Sequence, residues 1–206
     1  MDSFHFSRCF VVLSAIFWAV ATGAGAAPVG NEPATLLQQA VSEVLAISDA
    51  PDATPARVRD SVRPLLDKYC DPRLMTRRAI GPGWREFTAA QQQRAVALFT
   101  DLTLGVYADR FKSGLHLTIV YRATVELAPD RQEVPMTVTA DEGQPVEVAF
   151  RFEKAASGWR IYDIVVEGVS LVGNYRSQFD PIFKKSGADG VLRSLEAKGA
   201  NTPVKP

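Results

Sequence analysis

The chain has 206 residues, 47% hydrophobic and 22% charged, with 23 basic and 23 acidic side chains. That length and apolar content suit one packed domain and exclude a disordered chain. A formal net charge of zero supplies no global field for holding nucleic acid or an anionic membrane.

The first segment reads as a targeting signal. Arg8 precedes the apolar run CFVVLSAIFWAV (Cys9–Val20), and the small residues ATGAGAAP follow. A charged start, a short hydrophobic stretch and a small-residue exit predict a secretory signal peptide over residues 1–26. Ala24-Gly25-Ala26 fits the cleavage box, and the run is too short to span a bilayer. Residues 27–206 then form a single domain with an ordered core over about 33–198. Cleavage leaves Cys70 and His116 as the cysteine and histidine of the mature chain. One cysteine makes no internal disulfide, so packing must hold the fold.

Leu36, Leu37, Ala40, Val41, Val44, Leu45 and Ile47 recur at helical spacing, and SDAPDATP (Ser48–Pro55) breaks the pattern. Thr54-Pro55 caps and starts a second helix carrying Val58 and Val62, with Pro64 predicted to kink or restart it. Asp71-Pro72 repeats the device for RLMTRRAI, which Gly81-Pro82-Gly83 ends. Thr88-Ala-Ala-Gln91 is a capping box opening the longest helix, whose apolar face runs Ala95, Leu98, Phe99, Leu102, Val106 and Tyr107. Gly114 suits its C-terminal cap.

The pattern then changes period. HLTIVYRATVEL (His116–Leu127) is rich in β-branched residues. Val134, Met136 and Val138, then Val146, Val148, Phe150 and Phe152, alternate with polar neighbours. Turns at Pro129-Asp130, Asp141–Gly143 and Ser157-Gly158 join these runs as antiparallel hairpins. Phe179, Ile182, Phe183, Val191, Leu192 and Leu195 belong to closing helices, and NTPVKP is a loose tail. Helices followed by hairpins make the fold α+β, with N-terminal helices packed on a curved antiparallel sheet as in a half-cone.

The inventory for catalysis is thin. Gly168-Val-Ser170-Leu-Val-Gly173 misses the G-x-S-x-G spacing, and His116 is a poor base within a strand. Ser170 reads better as the N-cap of the next helix. There is no metal-ligand cluster such as H-E-x-x-H or C-x-x-C. Asp163 and Glu167 are conceivable acid–base groups, with a solvated or arginine-paired Asp163 as the simpler reading. The basic cluster Arg73, Arg77, Arg78 and Arg85 reads as a helix face with local acidic partners.

Residues 162–179, YDIVVEGVSLVGNYRSQF, resemble the C-terminal signature of the MlaC family, also called toluene-tolerance or auxiliary ABC-transport proteins. Arg63–Phe111, with its GPGW loop and T-x-x-Q helix, and SGWRIYD extend the resemblance. Cys70 and Pro64 depart from the family's pattern. The resemblance implies a cone-like fold akin to nuclear transport factor 2 and cystatins, and a periplasmic, non-enzymatic phospholipid carrier without cofactor. Its implied partners are an inner-membrane ABC transporter with an MCE-domain protein and an outer-membrane lipoprotein complex, serving outer-membrane lipid asymmetry. On this reading the lipid pocket is lined by Phe99, Leu102, Val106, Tyr107, Met136, Val138, Phe150, Val166, Val169, Tyr175 and Phe179. A hopanoid cargo, a small-molecule enzyme on the same fold using Asp163 or Glu167, and a filled scaffold remain as alternatives.

Overall fold

The structure, a computed structural model, describes residues 32–108, 117–141 and 143–200, leaving aside the side chains of 106–108 and 200. The expected signal peptide, the Gly114 cap, His116 and the tail lie outside the described residues. Helix α1 (Pro33–Ser48) and helix α2 (Pro55–Tyr69) both begin on a proline, whose missing N–H has no intrahelical partner to lose there. Thr54 Oγ1 accepts from the Arg57 amide at 3.3 Å, as a helix cap does. Pro64, expected to interrupt α2, sits exposed inside one continuous helix. In α3 (Pro72–Ile80) the Asp71 carboxylate accepts from the Leu74 amide at 2.8 Å, and Gly81, at φ 76°, ends the helix.

A short 3-10 turn, Gly81–Glu86, follows and carries Trp84 into the core. It approaches the last helix closely: a Cβ at Gly83 would lie 2.6 Å from the Phe183 ring. The capping box then closes reciprocally. The Gln91 amide donates to Thr88 Oγ1 at 3.2 Å, and the Thr88 amide donates to Gln91 Oε1 at 2.9 Å, opening α4 (Ala89–Ala108). Thr88→Ala should cost about 1 kcal/mol and lower the melting temperature by about 2–4 °C, measured by circular dichroism.

Among the described residues six strands follow: β1 (Leu117–Tyr121), β2 (Val125–Ala128), β3 (Arg131–Ala140), β4 (Val146–Ala155), β5 (Gly158–Val166) and β6 (Val169–Ser170). They form an open antiparallel sheet in the order β1-β3-β4-β5-β6, with β2 beside β3 on the edge that also holds β1. The residues of HLTIVYRATVEL thus make two strands along one neighbour. Pro135 supplies the reason: the Arg122 amide donates to the Pro135 carbonyl at 2.9 Å, but proline has no N–H to return the bond.

A second irregularity positions everything that follows. Along β4–β5, Arg151 faces Asp163 while the next residue, Phe152, faces Ile161, so Tyr162 is an extra residue. The bulge breaks the period of two. Ile161 and Ile164 share one face of the sheet, and Tyr162 and Asp163 share the other.

The turn from β5 to β6 has two residues, Glu167 (φ 50°) and Gly168 (φ 77°), and brings Val166 opposite Val169. Two positive φ values suit the right-handed twist of a tight hairpin, and glycine takes one without strain. Helix α5 (Leu171–Ala200) closes the chain, with non-helical Gly187 dividing it into the two closing helices expected.

Two apolar clusters result. One joins α3, the 3-10 turn, α4 and α5 through residues such as Ile80, Trp84, Phe99, Phe179 and Leu195. The other joins α1 and α2 to the sheet through Leu37, Tyr69, Val134, Met136 and Phe152. Among the described residues, no helix is long and apolar enough to cross a membrane.

Candidate functional site

Between α1, α2 and the inner face of the sheet lies a cavity of about 720 Å³. On α1, Leu37, Val41 and Val44 recur at spacings of four and three and present one side; on α2, Val58, Val62, Leu65 and Tyr69 do the same. From the sheet come Ile119, Met136, Val138, Val148, Phe150, Ile164 and Val166, and from α4 Leu104. Strand residues two apart project to the same face, which is why Met136 and Val138, or Val148 and Phe150, meet here. Most of these side chains are medium-sized aliphatics, so opposing walls do not meet and space remains between them.

The lining carries little polarity. Tyr69 turns its hydroxyl to the α1 side, donating to Glu43 Oε1 at 2.8 Å, and the Lys68 ammonium holds the same oxygen at 2.6 Å. Those two hydrogen bonds, Lys68 first, hold the Glu43 carboxyl below its ordinary range. Thr103, Gln144 and Cys70 supply the remaining polar atoms, and none of the described lining residues is Asp, Glu, Lys, Arg or His. A space of this size and character favours alkyl groups.

Cys70 is locked in place after α2, where the Asp71 amide donates to the Ile161 carbonyl at 2.9 Å along the free edge of β5. Burial, reinforced by Asp67 and Asp71, pushes its thiol up to about 12. Since only the thiolate is a good nucleophile, Cys70 should resist alkylation by iodoacetamide at pH 7–8 in the native protein. It should label in denaturant, with mass spectrometry as the readout.

Of the residues that the sequence reading put on the pocket, Met136, Val138, Phe150 and Val166 line this cavity. Phe99, Leu102, Tyr175 and Phe179 do not: they are buried in the helical cluster instead. Phe99 meets Tyr175 edge-on at 5.1 Å, and Tyr175 stacks on Phe179 at 5.7 Å. An aromatic chain that satisfies itself in this way fills space instead of leaving it. Val169 is also displaced, since the hairpin turns it outward with 59% exposure. The side chains of Val106 and Tyr107 lie outside the described residues. The α1 and α2 walls were missed because their apolar stripes look like any helix face bound for a core.

The alternative chemistry is on the wrong side of the sheet for this cavity. Asp163 is 1% exposed and accepts three bonds: from Ser170 Oγ at 2.6 Å, Arg151 Nη1 at 3.3 Å and the Val172 amide at 3.1 Å. Ser170 Oγ in turn accepts from the Gly173 amide at 2.9 Å, so it is the N-cap of α5. Asp163 is thus the arginine-paired residue of the simpler reading, and it is buried instead of solvated. Glu167 is exposed at the hairpin and accepts from the Glu147 amide at 2.6 Å. Neither carboxylate lines the cavity.

The chain is similar, at 23% identity over 183 residues, to the intermembrane phospholipid transport system binding protein MlaC of Haemophilus influenzae. That match covers 84% of this chain and 85% of the relative. Its fold is similar to that of a phospholipid-binding protein from Ralstonia solanacearum, solved in complex with a phospholipid. The TM-score is 0.73 at 28% identity, covering 82% of this chain and 97% of the other. The family model for the MlaC protein matches residues 37–197, from the first cavity residue of α1 to the last turns of α5. With most of its length matched and its signature turn in place, the chain belongs to the MlaC family.

Proposed function

We propose that this protein is a phospholipid carrier that holds acyl tails in the cavity between α1, α2 and the sheet. The observation that carries the reading is the cavity itself: about 720 Å³, walled by aliphatic side chains and free of charged groups among its described lining. The phospholipid held by the Ralstonia relative supports the cargo class. The Haemophilus relative's place in an intermembrane transport system supports a route between two membranes. Together with the signal peptide read in residues 1–26, this supports the periplasm as the compartment.

Energetics require the rest. Each buried CH₂ is worth about 0.8 kcal/mol, so two tails of roughly 15 carbons represent more than ~20 kcal/mol gross against water. Release into water is excluded on that scale. The protein must exchange cargo with another apolar environment, where most of the term cancels. The family resemblance supplies candidates for the two ends of that exchange, an inner-membrane ABC transporter bearing an MCE-domain protein and an outer-membrane lipoprotein complex, and the cargo is the only cofactor-like molecule needed. Catalysis has no part in this task.

Native mass spectrometry of the exported protein, followed by lipid extraction, tests the reading. One phospholipid per chain, transferable between vesicles, is the expected result. A protein that emerges empty and moves no lipid between vesicles would overturn it, and a stoichiometric hopanoid would reassign the cargo.

A further inference from the structure

The opposite face of the sheet carries a second hollow, of about 370 Å³, which the lipid reading leaves unused. Its lining brings together Arg78 from α3, Arg131 from β3, Arg151 from β4 and Arg176 from α5, with Tyr162 and Asp163 between them. The bulge in β5 makes this possible, because it turns Tyr162 and Asp163 to the same side.

Two of the four guanidinium groups are fixed. Arg151 Nε donates to Glu133 Oε2 at 2.8 Å while its Nη1 donates to Asp163. Arg78 pairs with Glu153 and lies over the Tyr162 ring, 4.1 Å from its centroid. Neither glutamate lines the hollow, and the oxygens of Asp163 are already taken up by Arg151, Ser170 and the Val172 amide. Internal carboxylates therefore orient these two arginines without filling the space in front of them.

The other donors are not used up. Arg176 has no carboxylate partner among the described residues, and the Nε side of its guanidinium lies against Gly81. Arg131 meets only Asp130, at 3.7 Å, in a largely exposed contact. Burial pushes the Tyr162 hydroxyl above its ordinary range, so it remains an O–H donor at neutral pH.

We propose that this hollow is a second binding site, for a phosphate group. Planar guanidinium forks pair with phosphate oxygens two at a time, and fixed forks lose little freedom in doing so. Arg131 and Arg176, which no internal carboxylate holds, leave two charges to meet; a lone carboxylate offers two oxygens and one charge, and a phosphate offers more of both. The group can come from a soluble phosphate compound or from a lipid headgroup at a membrane surface. The proposal stands whether or not the cavity carries phospholipid.

The test uses the full mature protein at low ionic strength, where charge contacts are least screened. Calorimetric titration with sodium pyrophosphate should show saturable one-to-one binding. Arg176→Gln and Arg131→Gln should each weaken it about tenfold, and Arg57→Gln, on the outer side of α2, should leave it unchanged. Melting curves identify any variant that fails to fold, and the half-exposed position of Arg131 keeps at least one informative. Flotation with phosphatidylcholine vesicles, with and without equimolar phosphatidate, separates the sources. Retention by phosphatidate that both site variants lose assigns a membrane headgroup, and pyrophosphate binding without retention assigns a soluble ligand. Failure of both probes, equal weakening by Arg57→Gln, or binding of polyglutamate in place of phosphate would overturn the proposal.

Discussion

Replacing Val138 by tryptophan should empty the cavity of lipid while leaving the protein folded. Val138 lies mid-wall, between Ile119 and Val146 on the neighbouring strands, and all three line the cavity. In a close-packed interior an added indole forces its neighbours off their rotamers and costs about 1–3 kcal/mol. Here it has unfilled apolar space to enter, so the lipid-free variant should melt within a few degrees of the lipid-free parent. Bound phospholipid per chain, counted by native mass spectrometry, should fall about tenfold or more, equivalent to at least ~1.4 kcal/mol of lost affinity. Lipid binds the folded state only, so the melting temperature of the parent rises with loading, and the variant should lose that rise. Val165→Trp is the contrast. Val165 is buried away from the cavity, next to the hairpin partner Ser170, and there the same change should destabilise. Undiminished lipid in the Val138→Trp protein would mean that the cargo sits elsewhere.

Asp163→Ala should be the most damaging single substitution in the signature segment. The carboxylate ties β5 to β4 through Arg151 and to the start of α5 through Ser170 and the Val172 amide. Removing it leaves a buried amide and a hydroxyl without their acceptor and weakens the hold on Arg151, which keeps Glu133. Losses of this kind cost about 3 kcal/mol or more, which for a chain of this size lowers the melting temperature by roughly 6–12 °C. Ser170→Ala should cost only about 1 kcal/mol, the usual worth of a cap. The double variant should lose less than the sum, because both residues serve the same helix start. If Asp163→Ala melted like the parent, the carboxylate would not be holding the signature turn.

The sequence made the helix starts and the sheet pattern legible because both are local. Thr54, Asp71 and Thr88 announce themselves by the hydrogen bond each makes to an amide three residues on. Ser170 reads correctly as a cap for the same reason. The β5 bulge is less visible, since Tyr162-Asp163-Ile164 carries no glycine or proline to mark an extra residue. Cavity and core are harder still to separate. Met136 and Phe99 are alike in burial and polarity, yet one faces a space and the other faces Tyr175. Which apolar side chains fail to meet depends on how far α1 and α2 stand from the sheet, a distance no short stretch of sequence encodes.

The two apolar clusters divide labour between them. Folding must offset a large conformational entropy, and a protein whose only interior was a cargo space would lose that offset each time it was unloaded. In this chain α3, α4 and α5 keep an interior permanently occupied by their own side chains. The compartment under α1 and α2 is free to stand vacant. Cys70 and Ile164 pack against both interiors, so the party wall between the permanent tenant and the passing one is only a few side chains thick.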